Sequence, residues 1–238
     1  MKTQKIKKNH GSILHDKAIL FDLDGVLIET EKETFLFYQD YLKVHYGIIL
    51  PDSAFAYKIG RKSTDFWKDV LTKKERNDVN VEKLTLLKRK LFIEHPEKYV
   101  KKVSGVKQLL KTLKASGYKL ALTTQNEKEM MDAVLNWLGI RNFFNVILNL
   151  QDISQKKPNP EIYLKAASLL NVSPKKCIVV EDSYDGIRAA RRAHMICIAI
   201  QHLYSPLGST KHADVRLKKL SHITASFLKK ITEGEKLS

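Results

Sequence analysis

The sequence predicts an α/β protein, built on a doubly wound parallel sheet with an inserted helical domain. Short, almost continuously apolar runs alternate with helix-like patterns along most of the 238-residue chain. This alternation is typical of parallel strands covered by helices on both faces. One stretch, 30–104, instead holds long amphipathic patterns and few strand-like runs. The chain is long enough for one hydrophobic core and a second, smaller domain.

The elements of the predicted sheet follow one another in a regular order. The predicted strands are 17–21, 119–124, 146–148, 177–180 and 196–200. Helix-spaced apolar residues predict helices at 106–116, 126–138 and 159–170, and an alanine-rich helix around 189–193. Asn126 with Glu129 three residues later resembles a capping box and indicates a helix start. Asn159 and Pro160 provide a cap and a first-turn proline for another helix.

These patterns divide the chain into three parts. Residues 1–16 form a basic, lysine-rich N-terminal tail. Residues 17–29 and 105–238 supply the strands and helices of the predicted core domain. Residues 30–104 form the predicted helical domain, which is inserted directly after the first strand.

The formal net charge of +16 raises the question of a nucleic-acid partner. The excess of basic residues is spread along the chain, with neither a long basic block nor an arginine-rich arm. A nucleic-acid-binding module is therefore a remote alternative, which a steep loss of affinity with salt would reveal. The acidic island at 17–29 is the more informative feature.

Other features of the sequence indicate where in the cell the protein is expected. No run approaches the roughly 20 apolar residues of a membrane helix. Residues 1–16 have no apolar run after their lysines, unlike a secretory signal. Cys177 and Cys197 lie in short apolar runs and are predicted to be buried, reduced thiols rather than a disulfide or zinc site. We therefore expect a cytoplasmic protein, whose oligomeric state the sequence does not indicate.

Polar side chains collect at the ends of the predicted strands. In parallel α/β sheets, ligands bind at the carboxyl ends of the strands, so these clusters should converge. They are Asp22 and Asp24, Thr124 and Gln125, Lys157, and Glu181 and Asp182.

Converging carboxylates repel one another unless a cation lies among them. Oxygen ligands suit Mg²⁺, which commonly keeps water and substrate phosphate in its shell. A lysine and a threonine hydroxyl beside the carboxylates suit a phosphoryl group. One carboxylate could act as nucleophile, while another two residues away could act as general acid and base. This chemistry predicts Mg²⁺-assisted phosphoryl transfer through a covalent intermediate.

The ordered set of clusters resembles the four signatures of the haloacid dehalogenase (HAD) superfamily over about 17–200. The first matches Asp22-Leu23-Asp24-Gly25-Val26 and the second matches Thr124. The third matches Lys157-Pro158, and the fourth matches Glu181-Asp182-Ser183 with Gly186. The resemblance implies a Rossmann-like core with a helical cap at 30–104, as in phosphoglycolate phosphatases and β-phosphoglucomutases.

The resemblance also implies roles around a metal ion. Asp22 would be the nucleophile and a Mg²⁺ ligand. Asp24 would be the general acid and base and would offer its backbone carbonyl to Mg²⁺. Asp182 would be a further Mg²⁺ ligand, with Glu181 as a second contributor.

The remaining implied roles concern phosphate. Thr124 and the backbone of Gln125 would hold the transferring phosphoryl group. Thr123 would replace Thr124 if the strand ended one residue earlier. Lys157 would neutralise both Asp22 and the phosphate.

Other residues distinguish the reactions found in this superfamily. Asp24 favours phosphate esters, because the dehalogenases and phosphonatases lack an acid at that position. The mutase branch resembling β-phosphoglucomutase remains an alternative, although Thr34 and Ser63 replace its usual His and Arg. Arg61 and Lys62, adjacent to Ser63, are candidate specificity residues in the cap. We expect a small phosphorylated metabolite as substrate: a sugar phosphate, phosphoglycolate or a nucleoside monophosphate.

Overall fold

The computed structural model describes residues 16–57, 63–203, 205–206 and 208–233. Almost all of the predicted tail, 1–16, therefore lies outside the described residues, as do Arg61 and Lys62. Every strand pairing in the six-stranded main sheet is parallel. A second, two-stranded antiparallel ribbon joins the main sheet to the helical insertion.

The strands are numbered in chain order. They are β1 (Ala18–Phe21), β2 (Ile28–Glu29), β3 (Lys101–Lys102), β4 (Lys119–Thr123), β5 (Val146–Leu148), β6 (Cys177–Glu181), β7 (Ile196–Ile200) and β8 (Val215–Leu217). The main sheet has the order β5-β4-β1-β6-β7-β8, and β2 pairs with β3. The first strand thus lies between β4 and β6, where Phe21 is level with Leu122 and Val180.

The α-helices are also numbered along the chain. They are α1 (Glu31–Tyr46), α2 (Ser63–Val70), α3 (Lys73–Asp78), α4 (Val81–Glu94), α5 (Pro96–Tyr99), α6 (Val106–Ala115), α7 (Lys128–Leu138), α8 (Glu161–Leu170), α9 (Tyr184–Arg192) and α10 (Ala225–Glu233). Short 3₁₀ helices lie at Asp52–Tyr57, Arg141–Phe143, Leu150–Asp152, Pro174–Lys176 and Leu220–His222.

The sheet is buried on both faces, which confirms the predicted doubly wound class. Side chains alternate along a strand, so Ile19 and Phe21 join one hydrophobic cluster while Ala18 and Leu20 join another. The first cluster includes residues of α6, α7 and α10, and the second includes residues of α8 and α9. Each face of the sheet is therefore covered by its own helices.

The helical insertion has a hydrophobic cluster of its own. Phe35 and Tyr38 of α1 pack with Phe66 and Trp67 of α2. Leu84 of α4 belongs to the same cluster. The chain leaves and re-enters the sheet region through the paired β2 and β3, which keep the two ends of the insertion together.

The predicted start of α7 is wrong. The helix predicted to start at Asn126 starts at Lys128, and its N-cap residue, Glu127, makes no side-chain capping bond. The Asn126 side chain donates instead to Asp24, 102 residues earlier. A tertiary hydrogen bond to a carboxylate has therefore replaced the local capping box.

The cysteine prediction is confirmed, because Cys177 and Cys197 are both free and buried. Burial raises the pKa of the Cys177 thiol to about 11. Among the described residues, no helix is long and apolar enough to span a membrane. The cytoplasmic location stays a prediction.

Candidate active site

The first acidic pair lies in a tight turn at the carboxyl end of β1. The backbone N–H of Asp22 donates to the carbonyl of Val180 at 3.0 Å, which extends the pairing with β6 by one residue. The chain then reverses at Gly25, whose φ of +71° is in the region that glycine tolerates best. The Gly25 N–H donates to the Ile28 carbonyl at 2.7 Å and closes the turn. Asp22 is thereby buried at the sheet edge, with only 8% of its surface exposed.

Lys157 forms hydrogen bonds both to Asp22 of the first acidic pair and to Glu181 at the end of β6. Its Nζ donates to Asp22 Oδ1 at 2.6 Å, to Glu181 Oε1 at 2.7 Å and to the Thr123 carbonyl at 3.2 Å. Burial opposes a charge on Lys157, but the two carboxylates outweigh it and raise its pKa. Burial, with repulsion from Glu181, raises the pKa of Asp22 to about 7 although Lys157 opposes the shift. The lysine is therefore a fixed cation beside the predicted nucleophile.

Glu181 has no oxygen left for a metal ion. Its Oε1 accepts from Lys157 and from the hydroxyl of Tyr163 at 3.0 Å, and its Oε2 accepts from the backbone of Asp182 and from Ser183. Burial opposes its charge, but Lys157 and these donors lower its pKa. A carboxylate offers about four lone-pair sites. The predicted metal role of Glu181 is therefore not supported, and the geometry gives it the role of holding Lys157.

Asp182, the next residue, is in the opposite situation. No described residue donates a hydrogen bond to its carboxylate within hydrogen-bond distance, and His202 Nε2 is 3.7 Å from Oδ2. Burial, together with Glu181, Asp22 and Asp24, raises its pKa well above the usual range. Asp182 thus presents carboxylate oxygens that a cation would stabilise.

The strand end of β4 shows which threonine faces the site. The hydroxyl of Thr123 donates to the Phe21 carbonyl at 3.1 Å and is wholly buried. Thr124 lines the cavity, and its hydroxyl oxygen accepts from the Asn126 N–H at 3.1 Å, which leaves the hydroxyl proton for another acceptor. Gln125 also lines the cavity, and its Nε2 has no partner among the described residues. The geometry therefore favours Thr124 over Thr123.

Both oxygens of Asp24 accept hydrogen bonds. Thr30 donates its hydroxyl to Oδ1 at 2.6 Å, and the Asn126 amide donates to Oδ2 at 2.5 Å. Burial nevertheless raises the pKa of Asp24, although these two donors oppose the shift. Asp24 is thus oriented by Thr30, next to α1, and by Asn126, from the loop after β4.

Residues 19–200 match the family described as haloacid dehalogenase-like hydrolases. The chain belongs to this family. It is 32% identical over 212 residues to YhcW, a candidate phosphatase of Bacillus subtilis, covering 89% of this chain and 96% of YhcW. It is 32% identical over 179 residues to phosphoglycolate phosphatase of Aquifex aeolicus, covering 74% of this chain and 81% of that enzyme.

A solved structure of a candidate β-phosphoglucomutase from Thermotoga maritima is also similar to the chain. The TM-score is 0.72 at 27% identity, over 90% of this chain and 99% of that one. The predicted family and fold are therefore confirmed, and the chain is a hydrolase of the HAD superfamily.

The HAD signatures of this chain face one cavity of about 650 Å³. Asp22, Asp24, Thr124, Gln125, Lys157, Glu181 and Asp182 all line it. Its far side is formed by the start of α9 and by the loop between β7 and β8, including Tyr184, Ser205 and Lys211. The structure thus brings all seven predicted core residues together, whereas the predicted cap residues Arg61 and Lys62 lie outside the described part of the chain.

In the described part of the chain, several side chains outside the HAD signatures contact them, and four of these lie against the predicted site. They are Thr30, Asn126, Tyr163 and His202. Asn126 could have been recognised, because it is a polar residue just beyond a strand end and two residues after Thr124. The sequence around Thr30, Tyr163 and His202 holds no motif that would predict their contacts, because each contacts a residue of a different element.

Proposed function

We propose that this HAD-family hydrolase is a Mg²⁺-dependent phosphatase that hydrolyses a small phosphate monoester through an aspartyl-phosphate on Asp22. The arrangement of Asp22 is the main support. One of its oxygens is held by Lys157 at 2.6 Å, while the other has no hydrogen-bond donor among the described residues. Asp22 lines the cavity beside Asp24, two residues further on. A carboxylate with one fixed and one open oxygen suits nucleophilic attack on phosphorus.

The residues present fit a magnesium ion. Among the described residues, no donor reaches Asp22 Oδ2 or the Asp182 carboxylate, so both could serve as ligands, and Asp24 would add its backbone carbonyl. In the described residues, no group of three or more His, Cys, Asp and Glu side chains suits a metal. Mg²⁺ needs only one or two carboxylates, because water and substrate phosphate complete its shell. When bound, it would neutralise charge on the transferring phosphoryl group and hold it in line.

In the first proposed step, an Asp22 oxygen attacks phosphorus and the bond from phosphorus to the ester oxygen breaks. Asp24 donates its proton to the departing oxygen, which becomes an alcohol. The raised pKa of Asp24 favours a proton on this group before the reaction. Thr124, the Gln125 backbone and Lys157 would offset the negative charge on the phosphoryl oxygens.

In the second proposed step, Asp24 is a carboxylate and takes a proton from water. The water oxygen attacks phosphorus, and the bond from phosphorus to Asp22 breaks. Inorganic phosphate leaves and the Asp22 carboxylate is restored. Asp24 thus ends the cycle protonated, as it began.

We further infer that the helical segment 30–104 acts as a cap over the cavity. Arg89 of α4 forms an ion pair with Glu127, which lies three residues after Thr124. Thr30, which precedes α1, holds Asp24. The cap would therefore be linked to the phosphate-binding loop and to the general acid, so that closing it could exclude bulk water.

Hydrolysis is favoured over phosphomutase chemistry by Thr34. This residue stands where the resembling mutases have a histidine, and it is buried, with 5% of its surface exposed. A threonine hydroxyl does not exchange protons near neutral pH as an imidazole does. The names of relatives, such as phosphoglycolate phosphatase and the phosphorylated carbohydrates phosphatase of Thermotoga maritima, support a small phosphorylated metabolite as substrate.

The deciding experiment measures phosphate release by wild-type, D22N and D185N proteins with Mg²⁺. The substrates are an aryl phosphate and a panel of sugar phosphates, phosphoglycolate and nucleoside monophosphates. We expect D22N to lose at least about 10³-fold in kcat, since it removes the nucleophile. Asp185 lines the same cavity on the first turn of α9 and provides the matched control.

Full activity in D22N would overturn the proposed nucleophile. Isomerised sugar phosphate instead of released phosphate, together with dependence on a bisphosphate activator, would establish the mutase.

A further inference from the structure

A fifth strand end reaches the candidate site, beyond the four that hold the HAD signatures. His202 lies two residues after β7, which pairs with β6 beside Glu181. The backbone N–H of His202 donates to the hydroxyl oxygen of Ser205 at 3.0 Å. Its side chain is largely buried, with 12% of its surface exposed. The hydrogen bond to Ser205 therefore holds the backbone at His202 in place.

The imidazole contacts the turn after the nucleophile. Its Nε2 is 2.7 Å from the Gly25 carbonyl oxygen. A carbonyl only accepts hydrogen bonds, so the proton must lie on Nε2. The same nitrogen is 3.7 Å from Asp182 Oδ2. One ring nitrogen thus adjoins both loops that supply the proposed Mg²⁺ ligands.

Gly25 and Asp182 are packed closely, and the space beside the Gly25 backbone is filled by the Asp182 carboxylate. A Cβ at position 25 would lie 1.8 Å from Asp182 Oδ2 and 2.3 Å from its Cγ. The backbone of Gly25 therefore forms the wall against which the Asp182 carboxylate rests.

The Gly25 turn is held on both sides. Its N–H donates to the Ile28 carbonyl at 2.7 Å, and its own carbonyl accepts from His202. In a planar trans peptide the carbonyl points opposite to the N–H. Fixing the Gly25 N–H therefore also fixes the direction of the Asp24 carbonyl, the proposed backbone ligand.

We propose that His202 is a positioning residue of the magnesium site. By holding the Gly25 carbonyl, it keeps the Asp24 carbonyl and the Asp182 carboxylate in the arrangement that accepts the ion. This inference rests on the proposed function. Replacing a residue that hydrogen-bonds to a metal ligand and orients it typically lowers metal affinity or activity about 10–100-fold.

The test compares H202F, H202Q and H222Q proteins. Phenylalanine keeps a ring but removes the donor, whereas glutamine places an N–H at a similar distance from the backbone. His222, an exposed residue near the C-terminus, gives the matched control. Mg²⁺ binding is measured by isothermal titration calorimetry in the presence of inorganic phosphate, and kcat is measured against Mg²⁺ concentration.

We expect H202F to raise the Kd for Mg²⁺ about tenfold or more. Excess Mg²⁺ should restore most of its kcat, and the substrate KM should change little. H202Q should recover most of the affinity, and H222Q should match the wild type. A merely structural loss would not be reversed by Mg²⁺.

A folded H202F protein with wild-type Mg²⁺ affinity would overturn the inference. If H202F does not fold, S205A decides the question, because it loosens the His202 loop and should weaken Mg²⁺ binding more modestly. Unchanged binding in S205A would then count against the inference. A wild-type protein that releases no phosphate with Mg²⁺ would overturn the proposed function instead.

Discussion

The substitution Tyr163→Phe should measurably destabilise the protein. Tyr163 is fully buried, and its hydroxyl donates to Glu181 Oε1 at 3.0 Å. A hydrogen bond to a charged group contributes about 1.5–3 kcal/mol. The same oxygen keeps its bond from Lys157, so we expect a loss in the lower half of that range. For a chain of this size, this corresponds to a fall in Tm of roughly 3–8 °C.

Tyr118 provides a matched control. It is 3% exposed, and its hydroxyl has no partner among the described residues. Removing an unpaired buried hydroxyl should be neutral or stabilising. Differential scanning fluorimetry should therefore show Y163F below the wild-type Tm and Y118F at or above it.

Equal falls in Tm, or an unchanged Tm in Y163F, would refute this reasoning. The kcat of Y163F should stay near the wild-type value, because Lys157 keeps its three acceptors.

Three further outcomes follow from the site. With p-nitrophenyl phosphate, whose weakly basic nitrophenolate can leave without a proton from Asp24, D24N should release one equivalent of nitrophenolate and then stall, because Asp24 is still needed to activate water; steady turnover without a burst would contradict this. Gly25 and Gly47 both have positive φ, so alanine should cost about 1–2 kcal/mol at position 47 and more at position 25, where its Cβ would clash with Asp182; only G25A should abolish the rise in Tm that Mg²⁺ produces. That rise should grow as pH increases through about 7, the raised pKa of Asp22, because protons compete with the metal for its carboxylate; a rise in Tm independent of pH between 5 and 8 would exclude Asp22 as a ligand.

The fold could be predicted where the local pattern and the final structure agree. The five predicted strands are apolar runs, and each corresponds to a strand of the main sheet. The sixth, β8, was missed because its middle residue, Arg216, is charged and exposed, so the strand is not an apolar run like the equally short β5. The ribbon of β2 and β3 was missed because two-residue strands have no periodicity.

The site residues that could be predicted are those that directly follow the carboxyl ends of the parallel strands. Parallel strands deliver Asp22, Thr124 and Asp182 to one edge whatever the helices do. Asn126 was misassigned because a helix cap and a carboxylate partner call for the same side chain, and only the tertiary structure decides between them. Tyr163 and His202 act across elements, so their partners follow from packing rather than from spacing.

Glu181 and Asp182 show how hydrogen bonding decides the roles of two adjacent carboxylates. Glu181 is the last residue of β6 and Asp182 comes directly after it, and burial opposes the charge of each. Lys157 and Ser183 donate to Glu181 and lower its pKa, and Tyr163 donates to it as well, so its lone pairs are used. Among the described residues, Asp182 has no such donors, and neighbouring carboxylates raise its pKa further. The first carboxylate is already stabilised and can only hold its neighbours, whereas the second gains most from a divalent cation. We therefore expect Asp182, the unsatisfied member of the pair, to be the carboxylate that would bind the metal.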